Sequence, residues 1–421
     1  MNYLYHVLIF SLFLVSTTSK LVQLHVLFRH GDRNIISTYP ADPYKEEKYW
    51  PEGFGQLTNR GKEQHYLLGQ WIRKKYDHFL NKYYSVYDLY VRSTDVDRTL
   101  MSVQTNLLGV YPPTENETWN KAVAWQPIPV HTVPADEDML LKLEATCPQA
   151  DIEMNNVLNS EKIQAILEEH KELLQYLSDN SEDKIKTIRD VAYLYDSLYI
   201  EKSRNLTLPS WTDKIYPEKI KAISEYSFAI TSFSDKLRRL RGGPLLSDII
   251  QKMEAVKTKK DTKQMYMYSA HDTTVSMFLC TLGVFDLQIP CYAMAVMVEL
   301  HEESGKYFVQ VAVKNDTYGN EDHILTIPGC KPKCPLSDFE KLLHNYIPED
   351  VERECTVSET LNPFMLSGDI TILKAGAFVT AGVLGGVLII AIIAGIVCWR
   401  RRNQQNPRSE YRYRTLNDSG L

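Results

Sequence analysis

The chain has 421 residues, 44% hydrophobic and 24% charged, with a formal net charge of −6 and seven cysteines. Near-average apolar and charged content excludes wholesale disorder, collagen and coiled coil, and the acidic balance argues against a protein built to coat nucleic acid. Seven cysteines are too few for a small disulfide-stapled scaffold, and the length suits two to three domains.

Residues 1–19 read as a secretory signal peptide. An apolar run from Val7 to Val15 precedes the small polar group Ser16 to Ser19, so cleavage is expected near Ser19–Lys20. Leu21 to Phe28 is a nearly continuous apolar run, which suits a strand in a parallel sheet covered on both faces. It ends in Arg29-His30-Gly31-Asp32-Arg33. Leu67, Leu68, Trp71 and Ile72 recur at helical spacing and predict a helix near 58–76. Tyr87 to Val91 predicts a second strand, leading into Arg92 to Arg98 and a helix to about Leu108. Ile128 to Val133 predicts a third strand.

Residues 150–260 change character. Val157, Ile163, Ile166, Leu167, Leu173, Leu174 and Leu177 recur in a charged background, the pattern of amphipathic helices, so this stretch reads as a helical cap. Gln264 to Ser269 then predicts a strand ending in Ala270-His271-Asp272, followed by a helix around Thr273 to Leu282. Tyr292 to Leu300 and Tyr307 to Val313 read as later strands. Strand–helix alternation with an insertion predicts an α/β fold. The sheet domain comprises 20–149 and 261–355, with the cap between its halves.

Residues 356–374 form a polar stalk. Ala375 to Trp399 carries no charge, and Arg400, Arg401 and Arg402 follow it. Twenty-five residues at about 1.5 Å each exceed the roughly 30 Å hydrocarbon core, so 375–399 is expected to be a transmembrane helix. The arginines place that end in the cytosol and the N-terminus outside, a single-pass type I topology. The tail, 400–421, has six arginines against Glu410 and Asp418, a net of +4 suited to an anionic leaflet. Tyr413 and Leu416 fit a short extended sorting motif that a clathrin adaptor could dock. A disordered tail or a phosphorylation site is the alternative. Acceptor sequons begin at Asn116, Asn205 and Asn315, as expected of a lumenal glycoprotein.

Three charged groups fall at the expected C-terminal ends of strands: Arg29 to Arg33, Arg98, and His271-Asp272. Ligands of open α/β sheets bind beyond those ends. Three arginines and two histidines converging there make a site for a dianion, because guanidinium matches phosphate oxygens and stays charged. The chain shows no HExxH, no CxxC pair and no metal-ligand spacing, so neither metal nor cofactor is expected. His25 and His65 read as packing residues and Asp32 as an orienting group, and nothing singles out any of the 26 tyrosines.

Together FRHGDR (Phe28 to Arg33), PEGFGQLTNRG (Pro51 to Gly61), VRSTDVDRTLMS (Val91 to Ser102), WQPIPVHTVP (Trp125 to Pro134) and YSAHDTT (Tyr268 to Thr274) carry a resemblance. NLTLPSW (Asn205 to Trp211) and PGCKPKCPL (Pro328 to Leu336) add to it. Over residues 20–355 the chain resembles the histidine acid phosphatases, in the lysosomal and prostatic branch. The resemblance implies a phosphoglycerate-mutase-like sheet domain flanked by helices, with the helical cap inserted. It implies hydrolysis of phosphate monoesters, with His30 as nucleophile forming a phosphohistidine. Arg29, Arg33, Arg98 and His271 would hold the phosphate, and Asp272 would act as general acid and then base. Nearby arginines depress a histidine pKa, which suits a nucleophile working in acid. Gly31 would let the backbone approach the phosphate.

The same resemblance implies the bridges Cys147–Cys355 and Cys330–Cys334. A third family bridge is absent, its positions being Ile200 and Ala295. Cys280 and Cys291 are left either to pair or to remain thiols, and Cys398 lies at the membrane edge. The family often has Ser or Thr then Pro after the second arginine of its motif, and here Asn34-Ile35 stands there. The family also forms homodimers. The expected location is the lysosomal or endosomal membrane or the cell surface. The competing readings are a phytase-like phosphatase or mutase of the wider superfamily, and a catalytically idle membrane glycoprotein.

Overall fold

The structure, a computed structural model, describes residues 19–357. Strand β1 (Lys20–Arg29) is followed by helix α1 (Asn59–Lys75), β2 (Leu89–Ser93) and α2 (Asp97–Val110). Helices α3 (Pro148–Leu158), α4 (Glu161–Glu169), α5 (Lys171–Ser181), α6 (Ile188–Ser203), α7 (Glu218–Ile230) and the single turn α8 (Asp235–Leu237) then run without a strand. The chain returns through α9 (Gly243–Lys257), β3 (Met265–Ala270), α10 (Asp272–Thr281), β4 (Ala295–Glu303) and β5 (Lys306–Lys314). The short strands β6 (His323–Leu325) and β7 (Lys333–Pro335) and helices α11 (Leu336–Leu343) and α12 (Val351–Cys355) complete it.

The fold is a mixed α/β sheet with helices on both faces. Strand order is β2-β3-β1-β4-β5-β6, with β7 also on β5. Strands β2, β3 and β1 are parallel, whereas β4 pairs antiparallel with β1 and the remaining pairs are antiparallel. The expectation of a parallel sheet therefore holds for one half only. A continuous apolar strand reports burial on both faces, not the direction of its neighbour.

The register of β1 is fixed by what its two faces bury. Leu24, Val26 and Phe28 join Leu68, Ile72, Val103 and Leu107 of α1 and α2 in one apolar cluster. Leu27 points the other way, toward Tyr268, Leu246, Ile249 and Phe278 of β3, α9 and α10. A one-residue slip would drive Gln23 and His25 into the α1–α2 cluster and turn Leu24, Val26 and Phe28 onto the opposite face, whose packing is shaped around Leu27. With that register, Arg29 lies opposite Ala270 and Ser93 opposite Ser269, so the parallel strands end together at one edge.

The helical segment has its own core, in which Leu177, Val191, Leu198, Ile220 and Ile223 are buried. Helix α9, expected with the cap, instead contributes Leu245, Leu246, Ile249 and Met253 to the cluster on the sheet. Its amphipathic pattern reports one buried face but not which layer covers it. Ile128 to Val133 is not a strand: only His131 bridges, to Arg92. Pro127, Pro129 and Pro134 lack the N–H groups a ladder needs. Cys147, at the start of α3, is bonded to Cys355, and Cys330 to Cys334. Among the described residues no helix is long and apolar enough to cross a membrane. The signal segment, stalk, span and tail lie outside the described residues, as do Cys398, Tyr413 and Leu416.

Candidate active site

The loop leaving β1 is clamped from both sides. His30 N–H donates to the Ala270 carbonyl at 3.0 Å, and the His30 carbonyl accepts from Ala293 N–H at 3.2 Å. Gly31 is required by the close approach of α1, a reason that its motif did not disclose. A Cβ there would lie 2.3 Å from the Gly61 carbonyl oxygen, and one on Gly61 2.2 Å from that of Asp32. Thr58 caps α1 by accepting from Gly61 N–H, and its hydroxyl donates to the Asp32 carboxylate at 2.6 Å. Asp32 also accepts from Arg204 at 2.6 Å, which closes it off from solvent and from chemistry.

His30 is almost fully buried at the end of β1. Its Nδ1 lies 2.8 Å from the Gly31 carbonyl, which can only accept, so Nδ1 carries the proton and Nε2 keeps its lone pair. Burial, then the charges of Arg98, Arg29 and Arg33 and neighbouring His271, hold its pKa well below the ordinary histidine value. The imidazole therefore stays neutral in mild acid, the state in which Nε2 can attack.

The three arginines are anchored by their terminal nitrogens. Arg29 Nη2 pairs with Asp272 at 2.7 Å, and its Nη1 donates to the Pro290 carbonyl. Arg33 presents its fork to Asp196 of α6, with bonds of 3.0 and 3.1 Å. Arg98 Nη2 lies 3.5 Å from His271 Nδ1. In all three, Nε is buried and has no hydrogen-bond partner. Burial and then the charge of Arg33 bring the Arg98 pKa down to about 10, so it remains cationic in acid. Asp196 holds Arg33 above its ordinary value despite burial.

His271 stands edge-on to His30, ring centroids 5.7 Å apart. Thr99 donates to the Val96 carbonyl at 2.7 Å, so Thr94 must donate to Thr99 at 2.8 Å. Thr94 Oγ1 then accepts from His271 Nε2 at 3.0 Å, which leaves Nδ1 facing Arg98 as an acceptor. Burial and Arg98 lower the His271 pKa well below its ordinary value, in keeping with this neutral tautomer. Asp272 opens α10 and accepts from Thr273 N–H at 2.8 Å. Burial alone would raise its carboxyl, but Arg29, Arg33 and His271 outweigh burial and hold it below the ordinary carboxylate value.

Beside Arg29 and Asp272 lies a cavity of about 180 Å³. The cap walls it: Ala192, Tyr195, Asp196 and Tyr199 form one face of α6, and Lys221, Ser224 and Phe228 one face of α7. Ile289, Pro290, Cys291 and Tyr292 close it from the sheet side. This space can take the alcohol portion of an ester whose phosphate meets the arginines.

All six expected phosphate-site residues thus meet at one edge. Asp196 and Tyr292 were not foreseen. Asp196 is one of many charges on amphipathic helices. Tyr292 falls at the expected start of a strand, and only the antiparallel direction of β4 brings its N-terminal flank to the site. His25 stacks on Tyr266 and bonds Gln23 at 3.0 Å, and His65 Nε2 reaches the Arg29 carbonyl at 3.0 Å. Asn34 pins the 52–53 turn through Glu52 and the Gly53 carbonyl, and Ile35 packs with Trp50 and Ile200. Neither Asn34 nor Ile35 lines the cavity. Cys280 and Cys291 are separate thiols rather than a bridge. Cys280 is buried in α10, whereas Cys291 Sγ donates to the Asn315 carbonyl at 3.0 Å. Asn116 and Asn205 are exposed and Asn315 is half-buried. Among the described residues no group of three His, Cys, Asp or Glu is placed to hold a metal ion.

A family model for the histidine phosphatase superfamily (branch 2) matches residues 20–314. The chain is 43% identical to prostatic acid phosphatase of Bos taurus over 338 residues, 79% of this chain and 87% of that protein. It is 36% identical to lysosomal acid phosphatase of Rattus norvegicus over 387 residues, 91% of this chain and 88% of that protein. Among solved structures, the phytase from Citrobacter braakii aligns with a TM-score of 0.63 at 16% identity, covering 80% of this chain and 100% of that one. That likeness is one of fold.

Proposed function

This chain belongs to branch 2 of the histidine phosphatase superfamily and is a phosphoric monoester hydrolase of the acid phosphatase type; we propose that it works through a phosphohistidine on His30, with Asp272 as general acid. The observation that carries this reading is the set of buried Nε–H donors on Arg29, Arg33 and Arg98, all without acceptors, around a histidine whose free nitrogen is Nε2. Buried donors need acceptors, and a phosphoryl group supplies several oxygens at once.

In the first step the His30 Nε2 lone pair forms a bond to phosphorus. The bond from phosphorus to the leaving oxygen breaks, and Asp272 protonates that oxygen. The three guanidiniums hold charge spreading over the phosphoryl oxygens. In the second step Asp272, now a carboxylate, takes a proton from water. The water oxygen bonds to phosphorus, the P–Nε2 bond breaks, and inorganic phosphate leaves.

The proton on Asp272 has a natural source. In the free site Arg29 keeps Asp272 ionised. A phosphate monoester takes up its second proton at about pH 6, so in acid it arrives as a monoanion. The arginines favour the dianion, and the dianion offsets their pull on Asp272. The proton therefore moves from the ester to the carboxyl beside the leaving oxygen. Acidic optima follow from this transfer together with a neutral His30.

We also propose a lumenal or extracellular enzyme held by one membrane span. The uncharged segment 375–399, the arginines after it and the signal-like residues 1–19 support this. The 387-residue match to a lysosomal relative adds to it. Exposed Asn116 and Asn205 suit glycosylation, and Asn315 is half-buried. Tyr413→Ala should leave the protein at the cell surface if Tyr413 and Leu416 sort it; an unchanged distribution would discard that motif.

The direct test assays the purified full-length chain on an aryl phosphate from pH 4 to 8. Turnover should rise toward acid, persist in chelator and vanish in His30→Ala. Activity lost to a chelator, or retained by His30→Ala, overturns the mechanism.

A further inference from the structure

We propose that Tyr292 is a substrate-binding residue whose hydroxyl donates a hydrogen bond to a non-bridging phosphoryl oxygen beside Arg29 and Arg33. The proposal rests on the phosphatase reading and adds a fourth kind of donor to it.

Tyr292 is buried, and its hydroxyl has no hydrogen-bond partner. Its ring lies 4.3 Å from the Arg29 guanidinium carbon and its centroid 6.1 Å from that of the His30 ring. It borders the same cavity as Arg29 and Asp272. A phenylalanine would serve the stacking on Arg29 equally well. It would also avoid an unpaired buried hydroxyl, which costs stability. The hydroxyl thus has no structural task among its neighbours, and it belongs to a residue bordering a site already lined with unpaired donors.

The backbone holds this ring in place at some cost. Ala293, the next residue, sits at φ +56, the left-handed region that a non-glycine residue rarely adopts. The segment is tied on every side. Ala293 N–H donates to the His30 carbonyl at 3.2 Å, and Met294 N–H to the Cys291 carbonyl at 3.1 Å. The Thr317 hydroxyl donates to the Tyr292 carbonyl at 2.7 Å. Strain that joins the nucleophile's own backbone to the tyrosine beside it is the kind stored at functional sites.

The phenol is suited to donate. Burial pushes its pKa up to about 12 even though Arg33 and Arg29 pull it down, so it keeps its proton wherever the enzyme works. The ring stacked on Arg29 at the edge of the cavity keeps this donor beside the guanidiniums.

The test compares the full-length chain with its Tyr292→Phe variant in three measurements: kcat/KM on an aryl and an alkyl phosphate, inhibition by inorganic phosphate, and Tm. A hydrogen bond to a charged acceptor predicts a loss of roughly ten- to hundredfold in kcat/KM. Phosphate inhibition should weaken in step, the loss should be equal for both esters, and Tm should be unchanged or higher. Equal kcat/KM and equal phosphate inhibition in an active enzyme overturn the assignment and leave the phosphatase reading intact. A loss confined to the poorer leaving group, or one tracking a fallen Tm, also overturns it. A wild-type chain that neither turns over nor is inhibited by phosphate overturns both readings.

Discussion

Arg29 Nη2 lies 2.7 Å from a carboxylate oxygen of Asp272, and both side chains are largely buried. In the proposed mechanism one ion pair therefore joins the group that would hold the phosphate to the group that would protonate the leaving alcohol. The pair makes the acid strength of Asp272 depend on what Arg29 is bound to.

Replacing Asp272 with Asn tests that dependence. Asp272→Asn removes the proton donor but keeps the shape, so alkyl phosphates should lose about 10²- to 10⁴-fold in kcat, the usual range for general acid catalysis. Aryl phosphates, whose leaving groups need less help, should lose much less. The comparison of kcat across leaving groups decides it, and an equal loss for all would count against an acid role.

Arg33 and Asp196 carry the second prediction. The Arg33 fork is spent on Asp196, which orients the guanidinium, and its Nε is buried without a partner. Asp196→Asn should let the fork turn and raise KM and the phosphate inhibition constant about tenfold, roughly 1.4 kcal/mol, with a smaller change in kcat. Unchanged KM would mean that Arg33 is held without its partner on the cap.

Much of this site was legible in the sequence because strand ends carry ligands. A buried apolar run followed at once by Arg29 to Arg33 fixes where the charges emerge. Arg98 and His271-Asp272 follow two further runs of the same kind. What stayed hidden lies on elements whose partners the sequence does not state. Asp196 sits one turn from Tyr199 and Ala192 on a helix whose cavity-facing side looks like any solvated face. Tyr292 reaches the site because β4 runs antiparallel to β1, and Ala295 and Val296 would read the same in either direction. Pro127 and Pro129 did advertise that the 128–133 stretch could not form a ladder. Cys280 and Cys291, close in sequence, belong to a buried helix and to a cavity wall, which spacing alone cannot separate.

A third prediction concerns stability rather than catalysis. Glu201 on α6 is fully buried with both carboxylate oxygens unpartnered, near Asp42. Burial first, then the charge of Asp42, raises its pKa to about 8. In the unfolded chain a glutamate titrates at about 4.3. The folded state therefore binds the proton more tightly, and its contribution is complete below about pH 4 and lost as pH rises through 8. Each tenfold difference in proton affinity is worth about 1.4 kcal/mol, so the decline should amount to a few kcal/mol. Denaturant unfolding at a series of pH values should show Glu201→Gln flattening this slope. A slope equal to that of the wild type would place the proton elsewhere.

The most direct test of the central claim is to trap the phosphoenzyme and locate its phosphoryl group. Rapid quenching of the full-length chain during turnover, followed by peptide mapping and ³¹P spectroscopy, should find phosphate on Nε2 of His30, stable in base and labile in acid. The Gly31 carbonyl occupies Nδ1, so Nδ1-phosphohistidine is not expected. An acid-stable, base-labile adduct, or a phosphoryl group on any other residue, would contradict the account.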